Sequence, residues 1–247
     1  MKTRKRKLIG IGMTLMLLLS ALGSLAVHAD DDLSLVTYRV TIHNLAGGQP
    51  LSPPIAATHN RAVRVFQRGQ MASPELEAIA EGGDTSLLFD LLDDAAGVTA
   101  VTEVGVPLTP NGHEVGDFTD TVTFDITARP GDRLSLATML ICSNDGFTGL
   151  DSVRLPRRGS RGYWLRGYDA GSEDNTEMSA DIVDACTDLG VVALPDDPDG
   201  NEDDAVDTQP HQMIKPHPNI AGVGDLSADV HGWTGPVAEV TIERIAP

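Results

Sequence analysis

Positive charge is scarce in this sequence. The 247 residues include 18 Lys and Arg against 36 Asp and Glu, which gives a formal net charge of −18. A polyphosphate chain would meet like-charge repulsion on such a surface, instead of the counterion release that drives nucleic-acid binding. The composition therefore argues against DNA or RNA as a partner, and it suits a salty medium or divalent cations.

Cysteine is equally scarce, with only Cys142 and Cys186 in the chain. No C-x-x-C pair is present, and two cysteines do not form a zinc cage by themselves. In an oxidising compartment a single disulfide is favoured over two free thiols. We therefore predict a bridge between Cys142 and Cys186, with two free thiols as the alternative.

The motif of a serine hydrolase is also missing. Neither GLDSV nor RGSRG supplies the G-x-S-x-G turn that exposes a nucleophilic serine. Glycosidase chemistry needs only two carboxylates about 5 to 10 Å apart. The excess of acidic residues leaves that chemistry open, but nothing in the sequence selects a pair.

The first 29 residues have the pattern of an export signal. Five basic residues in MKTRKRK precede an apolar run from Leu8 to Val27, and the small-residue sequence VHA ends at Ala29. A retained membrane anchor is the alternative, because about twenty apolar residues can span a bilayer; the acidic DDD that follows favours cleavage. The remaining chain would have 13 Lys and Arg against 36 Asp and Glu, a net charge of −23. We expect one secreted, periplasmic or cell-surface domain over residues 30–247, without membrane insertion after cleavage.

Alternation of apolar and polar residues predicts strands at residues 36–43, 121–127 and 236–245. After the second of these, RPGD indicates a turn into the run RLSLATMLIC, residues 133–142, and we interpret the two segments as a hairpin. LGVVAL is a further short candidate strand. Strands with one polar face are typical of antiparallel sheets, so the predicted fold is an all-β sandwich.

Two short helices are predicted between the first strand and this hairpin. Ser73 is a candidate N-cap with Pro74 at the first helical position, and Asp84 is the candidate cap of a second helix. Gly82 and Gly83 separate the two. We expect both helices to pack on a sheet edge.

Calcium suits the acidic, Gly-containing turns of this chain, because it prefers carboxylate and carbonyl oxygens. In DDPDGNEDD, Asp199, Asn201 and Asp203 occupy the first, third and fifth positions of an EF-hand loop. The sixth position, however, is Asp204 where Gly is required, and the twelfth is Pro210. This segment is therefore interpreted as a solvated loop.

Zinc is a weaker hypothesis. His211, His217 and His231 are separated by six and fourteen residues, which matches no helical ligand pair such as H-E-x-x-H. Loop or packing roles are the preferred interpretation of these histidines.

Two other acidic stretches are better candidates for a cation site. Asp145 follows the run RLSLATMLIC, and Asp169 follows YWLRGY in the same manner. Loops at one rim of a sandwich cluster together, so Asp145, Asp169, Glu173 and Asp174 would converge on one ion if the two strand ends share a rim. Solvated turns are the alternative.

At these residues the chain resembles the spondin domain, the N-terminal module shared by F-spondin and mindin. CSNDGFTGLDSV, from Cys142 to Val153, is similar to the family's P-S-P-D-W-F-V-G-V-D-S-L segment, and YDAGSED, from Tyr168 to Asp174, is similar to Y-D-A-G-T-D. HNRAVRVFQRGQMASPELEAIAEGG and PVAEVTIERI match further segments in the same order. The chain departs from the family at Asn144 and Gly146, which stand where the family has Pro and Trp, and at Glu173, which stands where it has Asp.

The resemblance implies a β-sandwich similar to a C2 domain, with a divalent cation, expected to be Ca²⁺, bound by carboxylates of these loops. It implies ligand roles for Asp145, Asp169 and Glu173, and for Glu81 of the AEGG segment. It also implies a non-catalytic adhesion module that recognises an extracellular protein or glycan, since function transfers only at the level of class. A secreted polysaccharide hydrolase with an unidentified carboxylate pair is the alternative.

Overall fold

The structure is a computed structural model, and it describes residues 35–195 and 210–246. The predicted signal segment, residues 1–29, and the acidic DDPDGNEDD segment lie outside the described residues. Within them the chain forms ten strands, four short α-helices and one turn of 3-10 helix at Ser179–Asp181.

The strands, numbered along the chain, are β1 Val36–Asn44, β2 Ile55–His59, β3 Val98–Glu103, β4 Thr121–Ala128, β5 Arg133–Met139, β6 Gly146–Arg154, β7 Ser160–Leu165, β8 Gly167–Asp169, β9 Lys215–Pro216 and β10 Ala238–Ala246. The helices are α1 Pro74–Gly82, α2 Ser86–Asp93, α3 Ala185–Leu189 and α4 Ala228–His231.

These strands form two antiparallel sheets, which confirms the predicted all-β sandwich. The first sheet has four strands in the order β4-β1-β10-β7, and the second has six in the order β3-β2-β5-β6-β8-β9. The predicted first and last strands are both present and pair with each other, with Val40 opposite Ile242. Because these β-branched side chains alternate with polar ones, each strand presents one apolar face to the other sheet; both side chains are fully buried there.

The strand β5 is buried on both faces: every residue from Leu134 to Met139 is buried, the small polar Ser135 and Thr138 included. Leu134 and Leu136 face the four-stranded sheet. Ala137 faces the opposite way, into a second apolar cluster that includes Leu76 and Ile79 of α1. A strand covered by a sheet on one side and a helix on the other has no solvent-exposed face.

The predicted N-cap of α1 is confirmed, whereas the prediction of Asp84 as the N-cap of α2 is wrong by one residue. Ser73 is the N-cap of α1 and its hydroxyl accepts from Leu76 N at 3.4 Å, with Pro74 in the first turn. Gly83 ends the helix with φ of 69°, a left-handed conformation that favours glycine. The N-cap of α2 is Thr85, while the neighbouring Asp84 accepts from Ser86 N at 2.9 Å. The expectation that both helices pack on a sheet edge is correct only for α2, which packs on the edge strand β3. It is wrong for α1, which packs on the inner strands β5 and β6.

Three predicted elements were wrong. First, β4 and β5 do not form a hairpin, because the RPGD turn carries the chain from one sheet to the other. Second, the stretch after Asp145 is not a turn, since Gly146–Arg154 forms β6. Third, LGVVAL is not a strand: its first residue ends α3, and the rest has no regular structure. In the first two cases burial by the opposite layer, which the local pattern does not encode, decided the structure.

Candidate metal centre

Strand pairing brings the two acidic stretches together. Asp145 immediately precedes β6, Asp169 ends β8, and the two strands are antiparallel neighbours with Gly146 opposite Asp169. Ala170 N donates to the Asp145 carbonyl oxygen at 3.1 Å, which extends the pairing by one residue. The two carboxylates therefore lie at one end of the same sheet, as the hypothesis of a shared rim requires.

The carboxylate of Asp145 is fully buried. Its Oδ2 accepts from the backbone N–H groups of Ser172 at 2.9 Å and Glu173 at 3.1 Å. Its Oδ1 is buried without a hydrogen-bond partner among the described residues. One oxygen of this side chain is thus fixed by the YDAGSED turn, and the other is left for a different partner.

Asp169 has the same arrangement. Its side chain is fully buried, Oδ2 accepts from Asn175 Nδ2 at 3.0 Å, and Oδ1 has no hydrogen-bond partner within the described parts of the chain. Lys215 Nζ lies 3.5 Å from Oδ2, but this lysine side chain is 42% exposed. A half-exposed ammonium at that distance compensates a buried carboxylate only weakly.

The pKa of Asp145 shows that this arrangement disfavours the ionised carboxylate. Burial is the larger cause, and the nearby charge of Asp169 is the second; together they raise the pKa of Asp145 to about 6. A cation would stabilise two ionised carboxylates in such surroundings, because each buried charge that is not compensated costs several kcal/mol. The pair and its two unpartnered oxygens therefore fit a bound cation.

The nearby imidazole of His217 does not add a nitrogen ligand to this pair. Its Nδ1 accepts from Asn219 N at 3.0 Å, so in the neutral ring the proton is on Nε2. Burial lowers the pKa of His217 to about 4, so the ring is neutral at pH 7. A protonated Nε2 has no lone pair to donate, and the donor set is therefore all oxygen, which fits Ca²⁺ better than Zn²⁺.

The other predicted ligands are placed less directly. Glu173 is buried and contributes its backbone N–H to Asp145, as described above, whereas Asp174 is exposed. Glu81 lies partly buried in the last turn of α1. Within the described ranges, the acidic side chains do not form a group of three with ligand atoms within 4.8 Å of one another. The structure therefore brings Asp145 and Asp169 together, and the ligand roles of all five residues, Glu173, Asp174 and Glu81 included, remain predictions.

Comparison with known protein families shows which family the chain belongs to. The family model described as Spondin_N matches residues 48–193, more than half of the sequence. The chain belongs to the spondin family. A search of the curated proteins finds no match. The matched range includes both aspartates and both cysteines, but it ends before Lys215 and His217.

Membership of the spondin family supports an extracellular interaction module, and spondin domains are generally not enzymes. Across the described ranges, no helix is long and apolar enough to cross a membrane.

The predicted disulfide is confirmed. Cys142 and Cys186 are joined by an S–S bond of 2.05 Å. The bond ties the β5–β6 connection to α3, and Cys142 lies three residues before Asp145. His231 lies beside this bond, and one ligand-type atom from each of the three side chains falls within 4.8 Å of the others. Because the two sulfurs are bonded to each other, they supply no thiolate to a metal.

The histidines that were considered for zinc lie apart. His211 Nδ1 contacts Glu77 Oε1 at 3.1 Å, and the Nδ1 of His231 accepts from Ser227 N at 2.9 Å. Loop or packing roles for these two histidines and for His217 stay a prediction.

Glu177 is the residue of this spondin site that the sequence does not reveal. Its carboxylate accepts from the backbone N–H groups of Ala221 at 2.6 Å, Gly222 at 2.6 Å and Val223 at 2.9 Å. Its own N–H donates to Asn144 Oδ1 at 3.2 Å. Glu177 thus connects the 219–226 loop to the residue next to Asp145. Its partners are 44 to 46 residues away, so no local signal identifies it.

Proposed function

We propose that this protein is an exported, non-catalytic β-sandwich module that binds Ca²⁺ through Asp145 and Asp169 and recognises an extracellular protein or glycan. The observation that carries the proposal is the pair of fully buried carboxylates, each with one oxygen that has no hydrogen-bond partner among the described residues. Glu173, Asp174 and Glu81 are the further proposed ligands. The alternative ions are other hard divalent cations, since the donors are oxygens.

The proposed ion is structural. It neutralises two carboxylates that otherwise repel each other, and it favours the fold because it binds the folded chain and not the unfolded one. The segments nearest to it are connected to one another: Ser172 N donates to Asp145, and Glu177 joins the 219–226 loop to Asn144. Binding the ion would therefore order several loops at one rim, and an ordered rim binds a partner at lower entropic cost.

The family and the fold support the interaction part of the proposal. Spondin modules are extracellular, and the disulfide suits an oxidising compartment. The alternative, polysaccharide hydrolysis, needs two carboxylates that a substrate can reach. The pair that the fold brings together is fully buried, and no observation favours hydrolysis.

Thermal melts of residues 30–247 test the cation. At a free Ca²⁺ concentration about 100 times the dissociation constant, linkage predicts a stabilisation of about 2.7 kcal/mol relative to the protein in chelator. Asp145→Asn and Asp169→Asn should each abolish the difference, and Glu243→Gln, an exposed charge change on β10, should retain it. Equal midpoints with and without Ca²⁺ in the parent protein, with no Ca²⁺ uptake by calorimetry, would refute the proposal.

A further inference from the structure

A groove of about 1320 Å³ opens at the other end of the sandwich. It lies where β1 begins, where the RPGD turn joins β4 to β5, and where β6 and β10 end. Seven arginines line it: Arg61, Arg133, Arg154, Arg157, Arg158, Arg161 and Arg244. They are more than half of the 13 Lys and Arg residues that follow residue 34, in a chain with a net charge of −18.

These positive charges are not paired in salt bridges within the described residues. The salt bridges of arginine there involve Arg39 and Arg64, and none of the seven groove arginines takes part in one. The groove has one acidic residue, Asp132, whose Oδ2 accepts from Thr99 Oγ1 at 2.6 Å and Arg129 N at 2.8 Å. Asp132 is 9% exposed, and its hydrogen bond to Arg129 N stabilises the RPGD turn. The groove therefore presents excess positive charge to solvent.

Hydrogen bonds fix the walls of the groove. Arg133 Nη1 donates to the Ser152 carbonyl at 2.7 Å, and Arg244 Nη1 donates to the Arg157 carbonyl at 2.8 Å. The guanidinium of Arg161 lies over the Tyr163 ring, 5.1 Å from its centre. Arg133 therefore holds the end of β6 at Ser152, and Arg244 holds Arg157 within the 154–161 segment, which presents exposed arginines to the solvent.

The side chains that line the groove indicate the class of ligand that it binds. Guanidinium groups bind carboxylate and sulfate oxygens in a bidentate manner. Between the arginines lie the exposed Pro130 and the half-buried Leu155 and Pro156, apolar side chains that suit the apolar face of a sugar ring. Among the described residues of the lining, Tyr38 is the only aromatic one and is 5% exposed. This part of the groove therefore lacks the exposed aromatic platform on which nucleic-acid bases stack.

We propose that this groove binds an anionic polysaccharide that carries uronate or sulfate groups. A polyuronate has one carboxylate per sugar and therefore a lower linear charge density than duplex DNA, which has one charge per about 1.7 Å, so the acidic remainder of the surface repels it less. The groove uses none of the residues of the proposed cation site. The proposal therefore goes beyond the Ca²⁺-dependent function and does not depend on it.

Binding of the purified protein to immobilised heparin and polygalacturonate, with dextran as the neutral polymer, tests this proposal. Arg157→Gln/Arg158→Gln changes two exposed groove residues, and Arg68→Gln/Arg166→Gln removes the same charge from two exposed residues outside the groove. We expect the parent to bind at least one anionic polymer and not dextran. The groove variant should lose about tenfold in affinity, and the matched variant about twofold or less. Circular dichroism melts check that both variants fold.

Three results would overturn the proposal. The first is no binding of either anionic polymer at about 50 mM salt. The second is an equal loss of affinity in the two double variants, because net charge and not the groove would then control binding. The third is tighter binding of a single-stranded oligonucleotide than of either polysaccharide. Chelator should leave the polysaccharide binding unchanged, so failure of the cation site and failure of the groove are distinguishable.

Discussion

The two ends of the β5–β6 pair carry opposite charges in opposite surroundings. At one end Arg133 lies opposite Arg154, beside the open arginine groove. At the other end Met139 lies opposite Phe147, next to the buried Asp145. At about 3.3 Å per residue the two ends are roughly 20 to 25 Å apart. Like charges are thus gathered at both ends, but only the acidic pair is removed from water.

The arginine cluster and the carboxylate pair differ in their effect on stability, because only the carboxylate pair is buried. Repulsion between exposed arginines is screened by water and salt and costs the fold little. Repulsion between buried carboxylates is hardly screened, so it shifts the pKa of Asp145 and couples the site to stability. The carboxylate end should therefore control the free energy of unfolding, and the arginine end should control the binding of anions.

The largest expected effect is at the carboxylate end, where the disulfide closes a loop of 44 residues. Cys142→Ser/Cys186→Ser should lower the free energy of unfolding by about 4 kcal/mol, because the unfolded chain regains the entropy of that loop. Urea denaturation of the variant and of the parent, with and without reductant, measures the loss. A parent whose midpoint does not change on reduction would contradict the bridge.

The next effect concerns Glu177 and its three backbone donors. Glu177→Gln replaces one acceptor oxygen by an NH₂ group that faces N–H donors, and we expect a loss of about 2 to 3 kcal/mol. Urea denaturation is the measurement. Glu243→Gln, an exposed change of the same charge, should stay within about 0.5 kcal/mol of the parent, and an equal loss in the two variants would contradict the role assigned to Glu177.

The pH dependence of the metal-free protein is a smaller effect. The pKa of Asp145 is raised from 3.8 to about 6 in the folded chain, chiefly by burial and then by Asp169. Between these values the folded state binds a proton that the unfolded state does not, so this group makes the free energy of unfolding decrease as pH rises through about 6.

Urea midpoints in chelator at pH 5, 6 and 7 measure this contribution. Other groups titrate in the same range, so the comparison is with Asp145→Asn, which lacks the titrating carboxyl. The parent should lose stability relative to this variant as pH rises. Parallel curves for the two proteins would contradict the raised pKa.

The smallest effect is expected at the arginine end. Arg157→Gln/Arg158→Gln should change the free energy of unfolding by less than about 0.5 kcal/mol, because both side chains are exposed and neither forms a salt bridge among the described residues. Melts with Ca²⁺ and with chelator should give the same Ca²⁺ response as the parent. A loss comparable to that of Glu177→Gln would show that the arginines stabilise the fold.

The sequence predicted the features that are encoded locally. Alternation placed β1 and β10, and Ser73, Pro74 and Gly83 marked the bounds of α1. It failed where a distant layer decides the structure, as at the RPGD turn between the two sheets. Asp145 and Asp169 were identified from their positions after apolar runs, although Gly146–Arg154 is a strand and not a turn. Glu177 and the arginine groove were not predicted, because their parts come from distant segments of the chain.

Calorimetric titration of Ca²⁺ into the chelator-treated protein tests the central claim most directly, since it measures the ion that the buried pair is proposed to bind. We predict uptake of one Ca²⁺ per chain by the parent and by Arg157→Gln/Arg158→Gln, and none by Asp145→Asn or Asp169→Asn. No uptake by the parent, or unchanged uptake by both aspartate variants, would contradict the account.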